Sequence, residues 1–285
     1  MKSLTLNNTI KFDGIGLHTG VKTQITLKPA PINSGIFFNR IDKSVIIPAK
    51  WDRVISTKFS TNIASNETEV KTVEHLLSAL SGLHINNCEI LIDNIEVPIL
   101  DGSSSVFVDK ILENGLTEQD SEQKILEIIK PVKFSCDYGF AELSPNSSED
   151  EGLNINLESS FDGKYEDQDI EIRNLNGNYI DSISKARTFG FFQEIEYLKS
   201  QNLIKGGSLD NAIVIKDKKP LNKEGLRYED ELMRHKVLDV VGDLYLSGFP
   251  IIGKYNGFKT GHFITINLIK ELFKSKDNYK KHKLN

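Results

Sequence analysis

Two stretches of eight residues decide the architecture that this sequence predicts: His75-Leu76-Leu77-Ser78-Ala79-Leu80-Ser81-Gly82 and His235-Lys236-Val237-Leu238-Asp239-Val240-Val241-Gly242. In each stretch a histidine precedes a glycine by seven residues, and apolar residues recur at the spacing that is typical of an α-helix. Strand-like segments lie before and after each stretch. The match predicts a duplicated α+β unit, and a pseudo-twofold axis between two such units would place the histidines face to face.

The surrounding sequence supports two domains. Helical spacing extends over residues 72–83 and 228–247, whereas residues 21–28 alternate polar and apolar side chains like a half-buried strand. Residues 113–124 are polar and lack periodicity, so we predict a linker there and a domain boundary near residue 124. The lysine-rich tail from Lys270 onward is expected to be a solvated, fraying terminus. The predicted domains are residues 1–124 and 125–285.

The composition is that of a globular protein without a strong overall charge. Hydrophobic residues make up 39% of the chain, charged residues 26%, and the net charge is -5, which provides no overall attraction to nucleic acid or anionic lipid. The two cysteines, Cys88 and Cys136, have no metal-ligand spacing, which favours a reducing compartment. We find no signal-peptide pattern and no apolar run of about 18 residues. A cytoplasmic protein without a transmembrane segment is therefore expected.

The second helix carries a candidate metal-binding pair. His235 and Asp239 lie one helical turn apart, about 6 Å between Cβ atoms, which is close enough to bind one cation together. Asp243 follows one turn later, and because like charges at this spacing repel, we expect a positive partner for the two aspartates. Alone, this pattern also fits a solvated helix face.

The first helix adds a histidine next to a carboxylate. His75 shares its face with Ala79 and Gly82, whose small side chains would let another backbone come close. Glu74 directly precedes His75. Metalloproteases also place a glutamate next to a ligand histidine, and that glutamate deprotonates the metal-bound water. An isolated Glu-His pair is also typical of a surface glutamate beside a packed histidine. If the helices meet, His75, His235 and Asp239 would hold Zn²⁺ with a fourth position open for water.

Four further segments attract attention. Residues 256–262 form a glycine-containing stretch that suggests a loop delivering His262, although a surface histidine fits equally well. Residues 186–192 place three phenylalanines around a glycine, which fits either core or the wall of an apolar ligand channel. Residues 100–104 read as a turn without a catalytic role. Residues 14–20 lack the spacing of a glycine-rich phosphate loop.

Taken together, these motifs resemble those of the UDP-3-O-acyl-N-acetylglucosamine deacetylases, zinc enzymes of lipid A synthesis. The similar segments follow one another in family order over nearly the whole chain: Gly14-Ile15-Gly16-Leu17-His18-Thr19-Gly20, Thr72-Val73-Glu74-His75-Leu76-Leu77, Pro98-Ile99-Leu100-Asp101-Gly102-Ser103, Ala186-Arg187-Thr188-Phe189-Gly190-Phe191, Gly206-Gly207-Ser208, Arg227-Tyr228-Glu229-Asp230-Glu231, Arg234-His235-Lys236-Val237-Leu238-Asp239 and Lys259-Thr260-Gly261-His262.

The resemblance implies a fold, a reaction and a cofactor. The fold would be α+β, with two related domains, each a mainly antiparallel sheet with two helices, and with the helices sandwiched between the sheets. The reaction would release acetate from the N-acetyl group of a UDP-linked acylated amino sugar. One Zn²⁺ per chain would be held by His75, His235 and Asp239, and Fe²⁺ would suit the same ligands. We expect a monomer and no nucleic-acid partner.

The resemblance also implies roles for other residues. Glu74 would be the general base, Thr188 would stabilise the oxyanion, and His262, held protonated by Asp243, would be the general acid. Lys236 and Lys259 would contact polar or phosphate groups of the substrate. The apolar passage for the acyl chain would be formed in the stretch that contains Phe189, Gly190, Phe191, Ile195, Ile204 and Val214.

Two departures and two alternatives accompany these expectations. Lys58-Phe59 and Phe263 are bulkier than the residues usual at these positions of the family, which leaves the acyl-chain preference open. The first alternative is a zinc peptidase or other amidohydrolase with the same ligands, which would need neither the lysines nor the passage. The second is a non-enzymatic RNA-binding α+β module, which would favour a basic face.

Overall fold

Each half of the chain forms one seven-stranded mixed sheet around a central strand. The structure is a computed structural model, and it describes residues 2–283. Within residues 2–122 the elements are β1 (Lys2–Leu6), β2 (Ile10–Ile15), β3 (Lys22–Pro29), β4 (Ile36–Arg40), β5 (Val45–Pro48), β6 (Val54–Ser56), β7 (Asn62–Ser65), β8 (Thr68–Val70), α1 (Glu74–Gly82), β9 (Ile85–Ile92), α2 (Ser105–Asn114) and β10 (Leu116–Glu122). Within residues 124–283 they are β11 (Lys124–Ile128), β12 (Val132–Cys136), β13 (Gly139–Ser144), β14 (Leu153–Ser159), β15 (Gln168–Ile172), α3 (Leu175–Ser182), β16 (Phe189–Phe191), α4 (Ile195–Ser200), β17 (Ile213–Lys216), β18 (Lys219–Pro220), α5 (Glu231–Tyr245), β19 (Ile251–Phe258), α6 (His262–Phe273) and β20 (Tyr279–Lys283).

The two large sheets share one connectivity. Central strand β9 pairs in parallel with β1 and β4 and antiparallel with β3. Central strand β19 likewise pairs in parallel with β11 and β14 and antiparallel with β13. The outer strands β2, β5 and β10 have antiparallel counterparts in β12, β15 and β20. This correspondence confirms the predicted pair of related, mainly antiparallel α+β units.

The helices lie between the two sheets. Helix α1 packs on β9 and α2 on β2, while α5 packs on β14 and β15 and α6 on β12 and β13. Helices α1 and α5 also pack on each other, so every residue from Glu74 to Leu80 is buried. A helix with neighbours on all sides carries apolar residues on all sides. The contact between α1 and α5 brings His75 and His235 to one place.

A glycine on α5, rather than the predicted glycine on α1, permits the close contact of these helices. A Cβ atom added to Gly242 would lie 2.8 Å from the carbonyl carbon of Glu74 and 3.0 Å from its Cα atom. Gly82, which we expected at a close backbone approach, instead faces the ring of Tyr179. That prediction was wrong because helical spacing identifies a face but not the element that covers it.

Two segments predicted to be unstructured form edge strands. Within residues 113–124, Leu116–Glu122 is β10, which pairs with β1. In the lysine-rich tail, Tyr279–Lys283 is β20, which pairs with β11, while residues 284–285 lie outside the described residues. Both strands are largely exposed, so they lack the alternation that marks a half-buried strand, and lysines are common on edges. The division into domains at residue 124 stays a prediction.

Three-stranded sheets precede both central helices: β6, β7 and β8 come before α1, and β16, β17 and β18 come before α5. Helices α3 and α4 are further short helices of the second half. No helix within residues 2–283 has the length and apolar character needed to span a membrane.

Candidate active site

The two related helices bring three candidate metal ligands together. His75 is the second residue of α1, and His235 and Asp239 lie one turn apart on α5. The Nε2 atoms of His75 and His235 lie 3.6 and 3.5 Å from Oδ1 of Asp239. All three ligand atoms lie within 4.8 Å of one another, which leaves room for an ion at ordinary bond lengths of about 2.0–2.2 Å.

The chemistry of these donors fits a divalent cation. Oδ1 of Asp239 is buried without a hydrogen-bond partner among residues 2–283, which is unusual for a carboxylate oxygen. Nδ1 of His235 donates to the carbonyl oxygen of Ala186 at 3.0 Å, so Nε2 carries the free lone pair. Burial, reinforced by His235, lowers the pKa of His75 to about 3. The imidazole of His75 is therefore neutral at neutral pH, as a metal ligand must be.

A group of ionisable side chains lies beside these ligands. Nδ1 of His262 donates to Oδ2 of Asp243 at 2.8 Å, and its Nε2 lies 3.8 Å from Oε1 of Glu74. Asp243 thus has a positive partner in His262, whereas Asp239 faces the two neutral ligand histidines, where a bound cation would supply the expected positive charge. The loop predicted over residues 256–262 is shorter in the structure: residues 256–258 belong to β19, and His262 is the first residue of α6, so only residues 259–261 connect the two elements.

The ionisation of this group suits proton transfer. Although burial favours the neutral imidazole, the charge and the hydrogen bond of Asp243 raise the pKa of His262 to about 10. Burial raises the pKa of Glu74 to about 8, against the attraction of His262. Paired groups with strongly displaced pKa values are typical of catalytic sites. His262 is cationic at neutral pH and has a proton to donate.

Thr188 lies in a segment that is fixed next to His235. Its neighbour Ala186 accepts the hydrogen bond from His235, and the ring of Phe189 lies 6.2 Å from the imidazole of His235. The amide of Thr188 donates to the carbonyl oxygen of Gly102 at 2.8 Å. Thr188 itself is half-buried.

A buried ion pair holds the same segment against α5. Nε of Arg187 lies 2.9 Å from Oε1 of Glu231, and both side chains are almost fully buried. Glu231 also accepts hydrogen bonds from the amides of Arg187 and Arg227. A buried pair with this many hydrogen bonds fixes geometry more than it adds stability. Both residues lie within the motifs of the resemblance, but no role was predicted for either.

The two lysines expected to contact substrate lie close to each other. Nζ of Lys236 donates to the carbonyl oxygen of Thr260 at 3.0 Å, one residue after Lys259. Nζ of Lys259 pairs with Oδ1 of the exposed Asp162 at 2.5 Å. Burial lowers the pKa of Lys236. The pair places positive charge at one edge of the site, and an anion would compete with Asp162 for Lys259.

The residues expected to line an acyl passage do not share one surface. Phe189 and Phe191 contact Phe161, with ring centroids 5.9 and 6.0 Å from its ring. Alternation along β16 points Gly190 to the opposite face, where it pairs with Val214 on β17 and where an added Cβ would meet open space. The remaining two residues of the set flank this strand pair: Ile195 begins α4, and Ile204 precedes Lys205, whose amide donates to the carbonyl oxygen of His18.

A buried glutamate outside the predicted set of site residues joins the turn before α1 to residues 18–19. Glu96 is fully buried and accepts hydrogen bonds from the amides of His18 and Thr19 at 2.9 and 2.7 Å. It also accepts one from the hydroxyl of Thr72 at 2.9 Å. Thr72 has a φ of 57°, a strained conformation for a β-branched residue, two positions before Glu74. The one indication of this role in the sequence is that Glu96 lies between two apolar residues, Ile95 and Val97, in a stretch that is otherwise suited to burial.

Thr61 is the second residue that sequence reasoning missed. It is fully buried, its amide donates to Oε2 of Glu74 at 3.0 Å, and its hydroxyl donates to Oδ1 of Asp243 at 2.6 Å. A threonine between Ser60 and Asn62 is typical of any turn, so the local sequence contains no signal for these contacts.

The fold and the site together define the class of protein: a metal-dependent hydrolase, with three candidate metal ligands next to a buried glutamate and a cationic histidine between two related α+β units. A family model described as LpxC, UDP-3-O-acyl N-acetylglycosamine deacetylase, matches residues 3–274. The chain belongs to this family. The resemblance noted from the motifs is thereby confirmed, and the alternative of a non-enzymatic RNA-binding module is set aside.

Curated relatives support the same membership, and each is named UDP-3-O-acyl-N-acetylglucosamine deacetylase. The relative from Psychrobacter arcticus is 42% identical over 284 residues, covering 98% of this chain and 88% of the relative. The relative from Teredinibacter turnerae is 43% identical over 280 residues, covering 97% and 92%. The relative from Hahella chejuensis is 43% identical over 282 residues, with the same coverage of 97% and 92%.

Proposed function

We propose that this protein hydrolyses the N-acetyl group of UDP-3-O-acyl-N-acetylglucosamine to acetate and a free amine, in the synthesis of lipid A, with one zinc ion per chain. The observation that carries the proposal is the convergence of His75, His235 and Asp239 next to Glu74 and His262. The names of the curated relatives supply the substrate.

The residues of the site divide the proton transfers between them. Zinc, when bound, supplies a Lewis acid that polarises the acetamide carbonyl and makes a water more acidic. Glu74 accepts the proton of the attacking water at its Oε1 atom, in the carboxylate form that the positive charge of His262 favours and that a bound cation would favour further. His262 donates a proton from Nε2 to the leaving nitrogen. Thr188 donates its hydroxyl hydrogen to the oxyanion. Asp243 keeps His262 protonated and oriented through Nδ1.

The other candidate residues bind the rest of the substrate. Lys236 and Lys259 supply local positive charge for the diphosphate in a chain whose net charge is -5. The acyl chain lies on the face of β16 and β17 that carries Gly190 and Val214, where a Cβ atom added to Gly190 would meet open space. A peptidase would require neither group, which favours the acylated UDP sugar over the alternative of another amide substrate.

The cysteines and the ligand set indicate the compartment and the metal. Cys88 and Cys136 are free, as expected in a reducing cytoplasm. Two imidazoles and a carboxylate suit Zn²⁺ and also Fe²⁺, and we propose zinc because an open three-ligand set is typical of catalytic zinc. The expectation of a monomer stays a prediction.

The proposal is tested by measuring acetate release from UDP-3-O-acyl-N-acetylglucosamine, with chelator and with Zn²⁺ added back. Glu74→Gln should lower kcat by about 10²–10⁴-fold while metal content stays at that of the wild type. The matched control is Glu113→Gln, an exposed glutamate of α2, which should keep full activity. Equal activity of Glu74→Gln would remove Glu74 from the role of base.

The ligand set is tested separately by metal analysis. His235→Ala should lose the metal, because the remaining two ligands cannot hold it with comparable affinity. Full metal occupancy in this variant would exclude His235 as a ligand. Acetylated peptides offered to the wild type distinguish the alternative substrate class, since their turnover without turnover of the UDP sugar would contradict the proposed substrate.

A further inference from the structure

Thr61 connects the two halves of the proton-transfer machinery. It lies in the turn before β7, and its side chain is fully buried. The amide of Thr61 donates to Oε2 of Glu74 on α1, and its hydroxyl donates to Oδ1 of Asp243 on α5. One residue thus holds one oxygen of each carboxylate.

With His262, these contacts form a ring of four residues in which only the separation of Glu74 and His262 exceeds hydrogen-bond distance. The free oxygen of Glu74, Oε1, lies 3.8 Å from Nε2 of His262. The other nitrogen of that imidazole, Nδ1, donates to the free oxygen of Asp243, Oδ2, at 2.8 Å. Because Thr61 occupies Oε2 and Oδ1, both carboxylates are left with a single oxygen for His262. The base and the acid are therefore oriented by the same third residue.

We propose that Thr61 is a positioning residue that sets the relative orientation of Glu74 and of the Asp243–His262 pair. The inference deepens the proposed function and rests on it, because it assigns Thr61 to the two proton transfers of that reaction. Thr61 acts through Glu74 and Asp243, which hold both of its donor groups inside the protein.

Three physical features suit Thr61 to this task. Its side chain is β-branched, so the χ1 angle that aims the hydroxyl has few alternatives. Its carbonyl oxygen accepts a hydrogen bond from the amide of Val73 at 3.2 Å, which anchors the turn to the start of α1. A hydrogen bond from a hydroxyl to a carboxylate is charge-assisted, and the 2.6 Å separation is that of a strong bond.

The competing explanation is that Thr61 merely satisfies buried groups and stabilises the fold. Removal of its hydroxyl would then lower stability without a specific effect on catalysis. The two explanations differ in whether the change in kcat on removal of the hydroxyl depends on the presence of His262. A positioning role requires an intact acid, whereas a structural role does not.

The decisive variant is Thr61→Val, which removes the hydroxyl, keeps the shape of the side chain and keeps the amide donor to Glu74. We expect kcat for acetate release to fall by about 10–100-fold, with KM within about threefold of the wild type, because Thr61 lies behind the reacting groups. Thr61→Ser, which restores the hydroxyl, should recover kcat to within about fivefold of the wild type. Bound metal should be the same in all three proteins.

A double-mutant cycle separates positioning from stability. In a His262→Ala background, Thr61→Val should lower the residual kcat by less than about twofold, since the acid that Thr61 helps to orient is already absent. The matched control is Thr23→Val, which removes a buried threonine hydroxyl that has no hydrogen-bond partner among residues 2–283. This control should keep wild-type kcat in both backgrounds.

The outcomes are distinguishable. Wild-type kcat in Thr61→Val, or the same fold-loss with and without His262, would overturn the positioning role. Should Thr61→Val fail to fold, Thr61→Ala carries the same test, because it adds no atom to the site. Absence of acetate release from the wild-type metal-loaded enzyme would instead overturn the proposed function.

Discussion

Replacement of Gly242 by alanine tests whether the contact of α1 with α5 creates the site. The added Cβ atom would lie 2.8 Å from the carbonyl carbon of Glu74, against an ordinary carbon–carbon separation of about 3.5 Å. The atom that it meets is backbone, so no side-chain rotation relieves the clash. The two helices must therefore separate by about 0.7 Å or more at this point.

This displacement is large on the scale of metal coordination. Ligand distances vary by only about 0.2 Å in a functional site, and His75 directly follows the residue that Gly242 touches. We expect Gly242→Ala to weaken metal binding at least about tenfold and to lower kcat/KM about 100-fold. Overpacking should also lower the free energy of unfolding by about 1–3 kcal/mol.

The assay is a competition titration of metal against a fluorescent chelator, followed by acetate release at saturating metal. The matched control is Gly177→Ala in α3, where the added Cβ would meet only the side-chain nitrogen of Asn174 at 3.9 Å. An exposed helical glycine gains about 0.5–1 kcal/mol of stability on this change, so the control should be at least as stable as the wild type. Wild-type metal affinity and activity in Gly242→Ala would refute the close-contact argument.

Two further predictions concern the buried charges. Glu96→Gln should lower the free energy of unfolding by about 3 kcal/mol. In the wild type the carboxylate accepts hydrogen bonds from His18, Thr19 and Thr72, and the amide nitrogen of a glutamine would face some of these donors. A urea midpoint equal to that of the wild type would contradict this prediction. Asp243→Asn should move the alkaline limb of the kcat–pH profile from near the His262 pKa of about 10 toward the ordinary imidazole value of about 6.5. Because Asp243 raises the pKa of His262, the protonated imidazole contributes its full stabilisation of the fold below about pH 6.5. This contribution is lost as the pH rises toward 10, so the free energies of unfolding of wild type and variant should differ more near pH 6.5 than near pH 10. An alkaline limb that does not move in Asp243→Asn would show that His262 is not the acid.

Local patterns predicted much of the site. The helices that carry His75 and His235 were evident from their spacing, because the periodicity of buried residues is written into neighbouring positions. The candidate metal ligands His235 and Asp239 followed from their residue types one helical turn apart. The ordered motifs added Thr188 and His262 as candidate catalytic residues. The strands with alternating burial, such as β3, were also evident.

Contacts between distant positions were beyond the reach of these patterns. The edge strands β10 and β20 look like linker and tail because both of their faces are exposed, and only pairing with β1 and β11 reveals them. Gly242 lies in the repeat that the sequence shows, yet its role depends on the backbone of Glu74 lying against it.

The sequence by itself thus determined which helices exist and which side chains could bind metal, since both follow from residues a few positions apart. Only the tertiary structure decided that α1 and α5 meet, that Glu96 supports the turn before α1, and that Thr61 joins Glu74 to Asp243. The hydroxyl of Thr61 and the carboxylate of Asp243 are 182 positions apart. Their contact arises from the packing of two sheets around shared helices, and no short stretch of sequence encodes such a distance.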